Sequence, residues 1–279
     1  MKKNVLALLC LSNLVDSAFA GTMGEVKTCP DASCMPWFVE FGTGASFSNS
    51  ASINYHPSYN IWPVPTTTYD GSLGTVPIYM AGIGYTVSPL LKIDASYSYR
   101  GIYKYAKHFE YLNNGAGNNS APNTRYFNLT SNSLMFSATL YAKGLEGSHP
   151  ELMNRLVKEI DGYGYIQPII GGGIGVSYNT VTNFHTIIDN TYWMTNAKQD
   201  STFAAFAWQL NAGLDWQVTE RFSFDVGYRY FNAGRFNSAD ACINRINSTT
   251  GSFVTPAWSP NWQAILSANE VYFTAKIAF

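Results

Sequence analysis

Charge is what this sequence has least of. Asp, Glu, Lys and Arg together make up 13% of the 279 residues, about half the ~25% of a soluble globular domain. The 17 basic and 18 acidic residues give a formal net charge of -1. That is not the basic field that steers a protein to nucleic acid, so no nucleic-acid partner is expected. Low net charge with 46% hydrophobic residue types also excludes a disordered chain. Long apolar runs are missing too. Past residue 20 no window holds the ~18 consecutive apolar residues of a spanning helix. If this chain is integral to a membrane, it must cross as a closed barrel.

Cysteine and histidine are few, four of each. Cys29 and Cys34, in CPDASC, are a candidate disulfide closing a small loop in an oxidising compartment. Cys242 stands far along the chain, a free thiol or one half of an intermolecular bridge. No His sits at ligand spacing from a Cys, so no metal site is expected. His185 with Asp189, and His108 with Glu110, can be drawn as acid/base pairs, but no nucleophile or orienting third group accompanies them. No catalytic residue and no cofactor are assigned, and the chain is not read as an enzyme. Gly171-Gly172-Gly173-Ile174-Gly175 lacks the following helix and the Lys-Ser/Thr pair of a phosphate loop. It reads as inward glycine on a crowded strand.

The first 20 residues have the parts of a secretory signal peptide. Lys2 and Lys3 form a positive start, Val5 to Leu11 a short apolar stretch, and Ala18-Phe19-Ala20 a cleavage site. A lipoprotein signal on Cys10 fits less well, because Ala7-Leu8-Leu9 is a poor match before it. The expected organisation is a cleaved signal at 1–20, a periplasmic segment at 21–36 and a membrane domain at 37–279.

What the chain does have is alternation. From Leu91 to Tyr99, Leu91, Ile93, Ala95, Tyr97 and Tyr99 share one face, while Lys92, Asp94, Ser96, Ser98 and then Arg100 share the other. A strand separates these sets and a helix mixes them. Seven more stretches behave alike, near 37–48, 78–87, 126–141, 165–178, 204–218, 222–231 and 265–279. One face is apolar and carries Tyr, Trp and Phe. The other is Gly, Ser, Thr and Gln with only one or two charges per strand, far too few for the outside of a soluble sandwich. The expected fold is all-β, an eight-stranded antiparallel transmembrane up-and-down β-barrel with aromatic girdles and a polar lumen.

Short connections at 88–90 and 219–221 alternate with long polar segments at about 49–77, 104–125, 179–203 and 232–264. Short turns on the periplasmic side and long loops outside are the outer-membrane arrangement. One connection, 142–164, lies on the short side yet is long. Ser148 and Glu151 form a capping-box pattern around Pro150, and Leu152, Met153, Leu156, Val157 and Ile160 form a stripe. This predicts one short periplasmic helix over 148–160 lying against the barrel rim, with a partner-docking helix as the alternative.

Eight strands leave an interior just filled by side chains. The charges on the inward face are Glu40, Asp94, Asp215, Asp225 and Glu270 against Lys92, Arg100, Arg229 and Lys276. Buried together, they must pair. They form either an ion-pair plug or a gate for a small pore.

The stretch Glu270-Val271-Tyr272-Phe273-Thr274-Ala275-Lys276-Ile277-Ala278-Phe279 ends in Phe with alternate hydrophobics before it. It resembles the C-terminal strand signal read by the bacterial outer-membrane assembly machinery, with Phe273, Ile277 and Phe279 as its marks. Val226-Gly227-Tyr228-Arg229-Tyr230 is similar to the GYRY penultimate strand of OmpA-like eight-stranded barrels. Ile166 to Gly175 is similar to their strand with Pro before a Gly-x-Gly-x-Gly run, and Gly21-Thr22-Met23-Gly24 resembles Legionella-type surface proteins. The resemblance covers about residues 37–279. It implies the cell outer membrane, with lipid, lipopolysaccharide and the assembly machinery as partners. It also implies a structural or adhesion-type role toward host surface molecules, or else a small pore or transporter for ions or hydrophobic molecules. No peptidoglycan-binding domain follows the eighth strand, which weighs against cell-wall anchoring by that route. Aromatic, low-charge loop residues such as Tyr55, Tyr59, Trp62, Tyr192 and Trp193 suit contact with proteins or glycans.

Overall fold

The structure, a computed structural model, describes residues 35–49, 51, 54–55, 72–109, 112–113, 118–119, 123–146, 148–188, 193–197, 199–238, 241–246, 253–259 and 262–279. The signal segment and the Cys29–Cys34 pair lie outside the described residues, as do Tyr59, Trp62 and Tyr192.

Eight antiparallel strands close into a ring: β1 (Trp37–Ser48), β2 (Thr75–Thr86), β3 (Leu91–Phe109), β4 (Asn123–Tyr141), β5 (Tyr165–Ile188), β6 (Ser201–Gln217), β7 (Phe222–Asn237) and β8 (Trp262–Ala278). Each pairs with its sequence neighbour, and β8 returns to β1. The lateral row from Phe222 runs through Ile277, Val39, Ile83, Ala95, Phe136, Ile174 and Trp208. It re-enters β7 at Asn232, ten residues further on. Eight strands with that stagger tilt by about 40°.

The wall is two-sided as the alternation requires. Phe41, Ile83, Phe136, Ile170, Ile174, Phe206, Leu210 and Val271 point out and are exposed. Trp37, Tyr85, Trp216, Phe222 and Phe279 ring the turn end, and Tyr79, Tyr97, Tyr178 and Tyr228 stand toward the loop end. On β5 the apolar outer series runs from Ile166 to Tyr178, and Thr180 follows. At this tilt the band is roughly 25–30 Å tall, the height of a bilayer core. No helix among the described residues is long and apolar enough to cross a membrane. An apolar belt outside a charged, buried interior makes this an integral β-barrel of the outer membrane.

The strands are longer than the alternation predicts, for one physical reason. Three bulges insert an extra residue on the loop side. They lie between Arg100 and Tyr103 in β3, at Asn183 in β5, and before Gly234 in β7. Each reverses the inside–outside parity. In β3 the even positions through Arg100 face in, and then Tyr103 and Tyr105 do. In β5 Val181 is followed by Phe184, and in β7 Ala233 by Phe236. The expected loops at 104–125, 179–203 and 232–264 are therefore partly barrel wall. They also contribute the short strands Trp193–Ala197, Ala241–Ile246 and Phe253–Ser259, which pair in succession outward from β5. Cys242 lies in the second of these, its backbone between Asn196 and Trp258.

The β7 bulge depends on Gly234. Its φ is +69°, its N–H donates to Asn232 Oδ1 at 2.8 Å, and a Cβ there would stand 2.5 Å from the Phe206 carbonyl oxygen. Gly234→Ala is expected to destabilise the barrel by about 2 kcal/mol. Urea titration in phospholipid vesicles measures this, and a loss below about 0.5 kcal/mol would mean the bulge is not fixed by that backbone.

The lumen is not polar throughout, which corrects the sequence expectation. Its loop half is an apolar core containing Tyr103, Tyr105, Phe127, Leu129, Val181, Phe184, Phe231, Phe236 and Leu266. The charged residues occupy the half nearer the turns.

The turn-side helix is shorter than expected. A 3-10 turn at Ala142–Leu145 precedes α1 (Pro150–Leu156). Pro150 takes the first helical position, where its missing N–H costs nothing. Ser148 does not form the capping box; its hydroxyl donates to the Leu145 carbonyl at 3.3 Å. Lys158 and Glu159 leave the helix to pair with Ile166 and Tyr165 of β5. The stripe does not cover the rim either, since Leu152 and Leu156 are 45% and 40% exposed.

Candidate functional site

The lumen charges meet because register places them opposite one another. Arg229 and Glu270 are direct partners across β7 and β8, and Glu270 and Ser46 across β8 and β1. Glu270 is fully buried between two guanidinium groups. Arg100 Nε donates to its Oε1 at 2.7 Å, and Arg229 Nε to its Oε2 at 2.6 Å. Arg100 Nη2 also donates to Oε2 at 3.3 Å, and Ser46 Oγ adds a fourth bond at 2.9 Å and is itself held by the Tyr103 hydroxyl at 2.8 Å. Arg100 spends another nitrogen on Ser98 and Ser133, and its guanidinium lies 3.4 Å from the centre of the Phe231 ring. A buried carboxylate with this many donors is fully compensated.

A second group lies nearer the turns. Lys276 Nζ bonds Asp225 Oδ2 at 2.5 Å and the Tyr141 hydroxyl at 2.7 Å. Asp215 Oδ2 accepts from Gln167 Nε2 at 2.8 Å, and Gln167 Oε1 accepts from the Lys143 amide. Lys92 sits over the Tyr141 ring at 4.3 Å and the Phe38 ring at 5.7 Å. Glu40 is the direct cross-strand partner of Lys276. Glu40 and Asp94 make no ion pair within 4 Å among the described residues. They line, with Asp225, Arg229, Gln209 and Lys276, a polar cavity of about 50 Å³. That volume admits a water or two.

All nine charges expected in the lumen are therefore inside it, and among the described residues five of them enter ion pairs: Arg100, Arg229 and Glu270, and Asp225 with Lys276. Phe38, Tyr103, Tyr141 and Phe231 were not foreseen. Tyr141 and Phe231 continue the inward parity of Thr139 and Arg229, so carrying the alternation one step further would have found them. Tyr103 lies past a bulge. Phe273 and Ile277 of β8 and Phe279, which follows it, the marks of the assembly signal, are all outward and exposed.

Of the two histidine pairs, only the His185 side chain lies among the described residues. His185 stacks on Tyr126 at 4.7 Å, with Nδ1 3.0 Å from the Asn183 carbonyl oxygen. Asp189 and Glu110 lie outside the described residues. The glycine run is a strand segment packed on β4, where a Cβ on Gly175 would stand 2.0 Å from the Leu134 carbonyl oxygen.

No protein-family model matches the sequence, and no curated protein matches it. Among solved structures, the chain is similar to the outer membrane protein OprG from Pseudomonas aeruginosa, with 14% identity, 87% of this chain and 96% of that one covered, and a TM-score of 0.42. It is similar to Neisserial surface protein A, with 14% identity, 87% and 97% covered, and a TM-score of 0.37. It is also similar to Ail, the attachment invasion locus protein of Yersinia pestis, with 9% identity, 86% and 99% covered, and a TM-score of 0.32. At these identities and scores the likeness carries no weight of its own, and the barrel rests on its strand register.

Proposed function

We propose that this chain is a closed, non-conducting outer-membrane barrel whose working part is its loop end, a structural or adhesion-type surface protein rather than a small pore. One observation carries the reading: the lumen is filled twice over. The cavity lined by Glu40, Asp94, Asp225 and Lys276 within the charged layer is only about 50 Å³, and an apolar core fills the half above it. The barrel walls also rise beyond the apolar belt. From Tyr178, β5 continues ten residues to Ile188, roughly 25 Å at this tilt. With the short strands paired to it, β5 lifts a sheet clear of the membrane. Host surface molecules are the partners this platform suits. Lipid and lipopolysaccharide surround the belt, and the assembly machinery reads the C-terminal strand. No enzymatic step belongs to this role.

Purified, refolded protein in a planar bilayer should show no single-channel conductance, and Arg229→Ala should leave it silent. Discrete openings in the wild type would return the pore reading. Loop deletions that leave the barrel inserted should abolish binding to host cells, and unchanged binding would dispose of the adhesion role.

A further inference from the structure

Two of the lumen acids stand directly against each other. Asp215 of β6 and Asp225 of β7 are cross-strand partners with both side chains facing in, and both are buried, at 0% and 4% exposure. Side chains so placed have Cβ atoms about 5 Å apart. Each carboxyl group has one oxygen engaged: Asp215 Oδ2 with Gln167, Asp225 Oδ2 with Lys276. The other oxygen of each, Asp215 Oδ1 and Asp225 Oδ1, is buried without a hydrogen-bond partner. Two facing carboxylates in a site closed to solvent repel, and two orphaned acceptors add a desolvation cost. One proton between them removes both penalties.

We propose that Asp215 and Asp225 form a proton-binding site near the turn-side mouth of the lumen, an acid–carboxylate pair holding a single proton between their Oδ1 oxygens. The proton resides on Asp215, because Asp225 is the partner of the Lys276 ammonium while Asp215 meets only the neutral Gln167 amide. Charge balance agrees. The lumen holds five acids and four bases among the described residues, and one bound proton makes it neutral. The groups facing the pair are Lys276 and Tyr272 of β8, Lys92 of β3, Tyr141 of β4, Tyr165 of β5, Glu40 of β1 and, further along β7, Arg229. None of these supplies a hydrogen bond to either Oδ1.

The site makes an asymmetric prediction. Asp215→Asn keeps a donor toward Asp225 and is expected to leave the folding equilibrium constant in vesicles within a factor of ten. Asp225→Asn strands the Lys276 ammonium and should lower it about a hundredfold or more. Equal losses would overturn the assignment of the proton. The proton itself is seen by infrared difference spectroscopy on the intact wild-type barrel in phosphatidylcholine vesicles at neutral pH. A protonated-carboxyl carbonyl band should be present. It should move with carboxyl-13C aspartate and not with labelled glutamate, persist in Asp94→Asn, and vanish in Asp215→Asn. Absence of the band, a band that follows the glutamate label, or one that is lost in Asp94→Asn would refute the site. Should Asp215→Asn fail to fold, the isotope result and Asp94→Asn still decide.

Discussion

Glu270→Gln is expected to destabilise the folded barrel by about 3–5 kcal/mol, because it leaves two buried guanidinium groups with one neutral partner. Arg100 is fully buried and Arg229 nearly so, and both aim their Nε at Glu270. Arg229 already has one terminal nitrogen without a partner, so the network has little spare capacity. Urea unfolding in vesicles, followed by tryptophan fluorescence, gives the value. The triple variant Arg100→Met, Glu270→Leu, Arg229→Met separates the two meanings of a salt bridge. Deleting all the charge together removes the desolvation cost along with the attraction, and the triple variant should come back to within about 2 kcal/mol of wild type. A Glu270→Gln loss below about 1 kcal/mol would show that water reaches the triad, and the lumen would not be sealed there.

The same triad shows how far the sequence could be read. Strict alternation along β1, β3, β7 and β8 places Glu40, Arg100, Arg229 and Glu270 on one side without any structure, because side-chain period in a strand is fixed at two. Which of them touch is a matter of register. Register comes from the ring as a whole and is not written in any one strand. Glu40 lies opposite Lys276, yet the ammonium turns to Asp225. The apolar half of the lumen was legible only in part. Phe127, Leu129 and Leu266 keep the inward parity of their strands, but each bulge flips parity, so Tyr103, Tyr105, Phe184 and Phe236 occupy positions that count as outward when the period is carried straight through. Past that point the pattern stops alternating as read and passes for a loop. Asn183 and Gly234, residue types that tolerate positive φ, mark two of the bulges locally, and Gly101 lies in the third.

Phe231→Ala should cost about 3–5 kcal/mol and still leave the barrel silent in a bilayer. Phe231 is fully buried where the two halves of the lumen meet. Its ring supports the Arg100 guanidinium from 3.4 Å on one side and belongs to the apolar core on the other. A graded series apportions these roles. Phe231→Leu keeps most of the volume and loses the ring face, so it should cost about 1–2 kcal/mol. The rest of the alanine loss is then cavity. Phe127→Ala tests the packing of the apolar half: its ring stacks on Tyr105 at 4.7 Å and tilts against Phe236 at 6.3 Å. It too should cost about 3–5 kcal/mol. Neither truncation removes the charged layer beneath, so neither is expected to conduct. If Phe231→Ala alone passed current, the ion-pair layer would have to be permeable by itself, and the closed-barrel reading would give way to a pore gated by one aromatic ring.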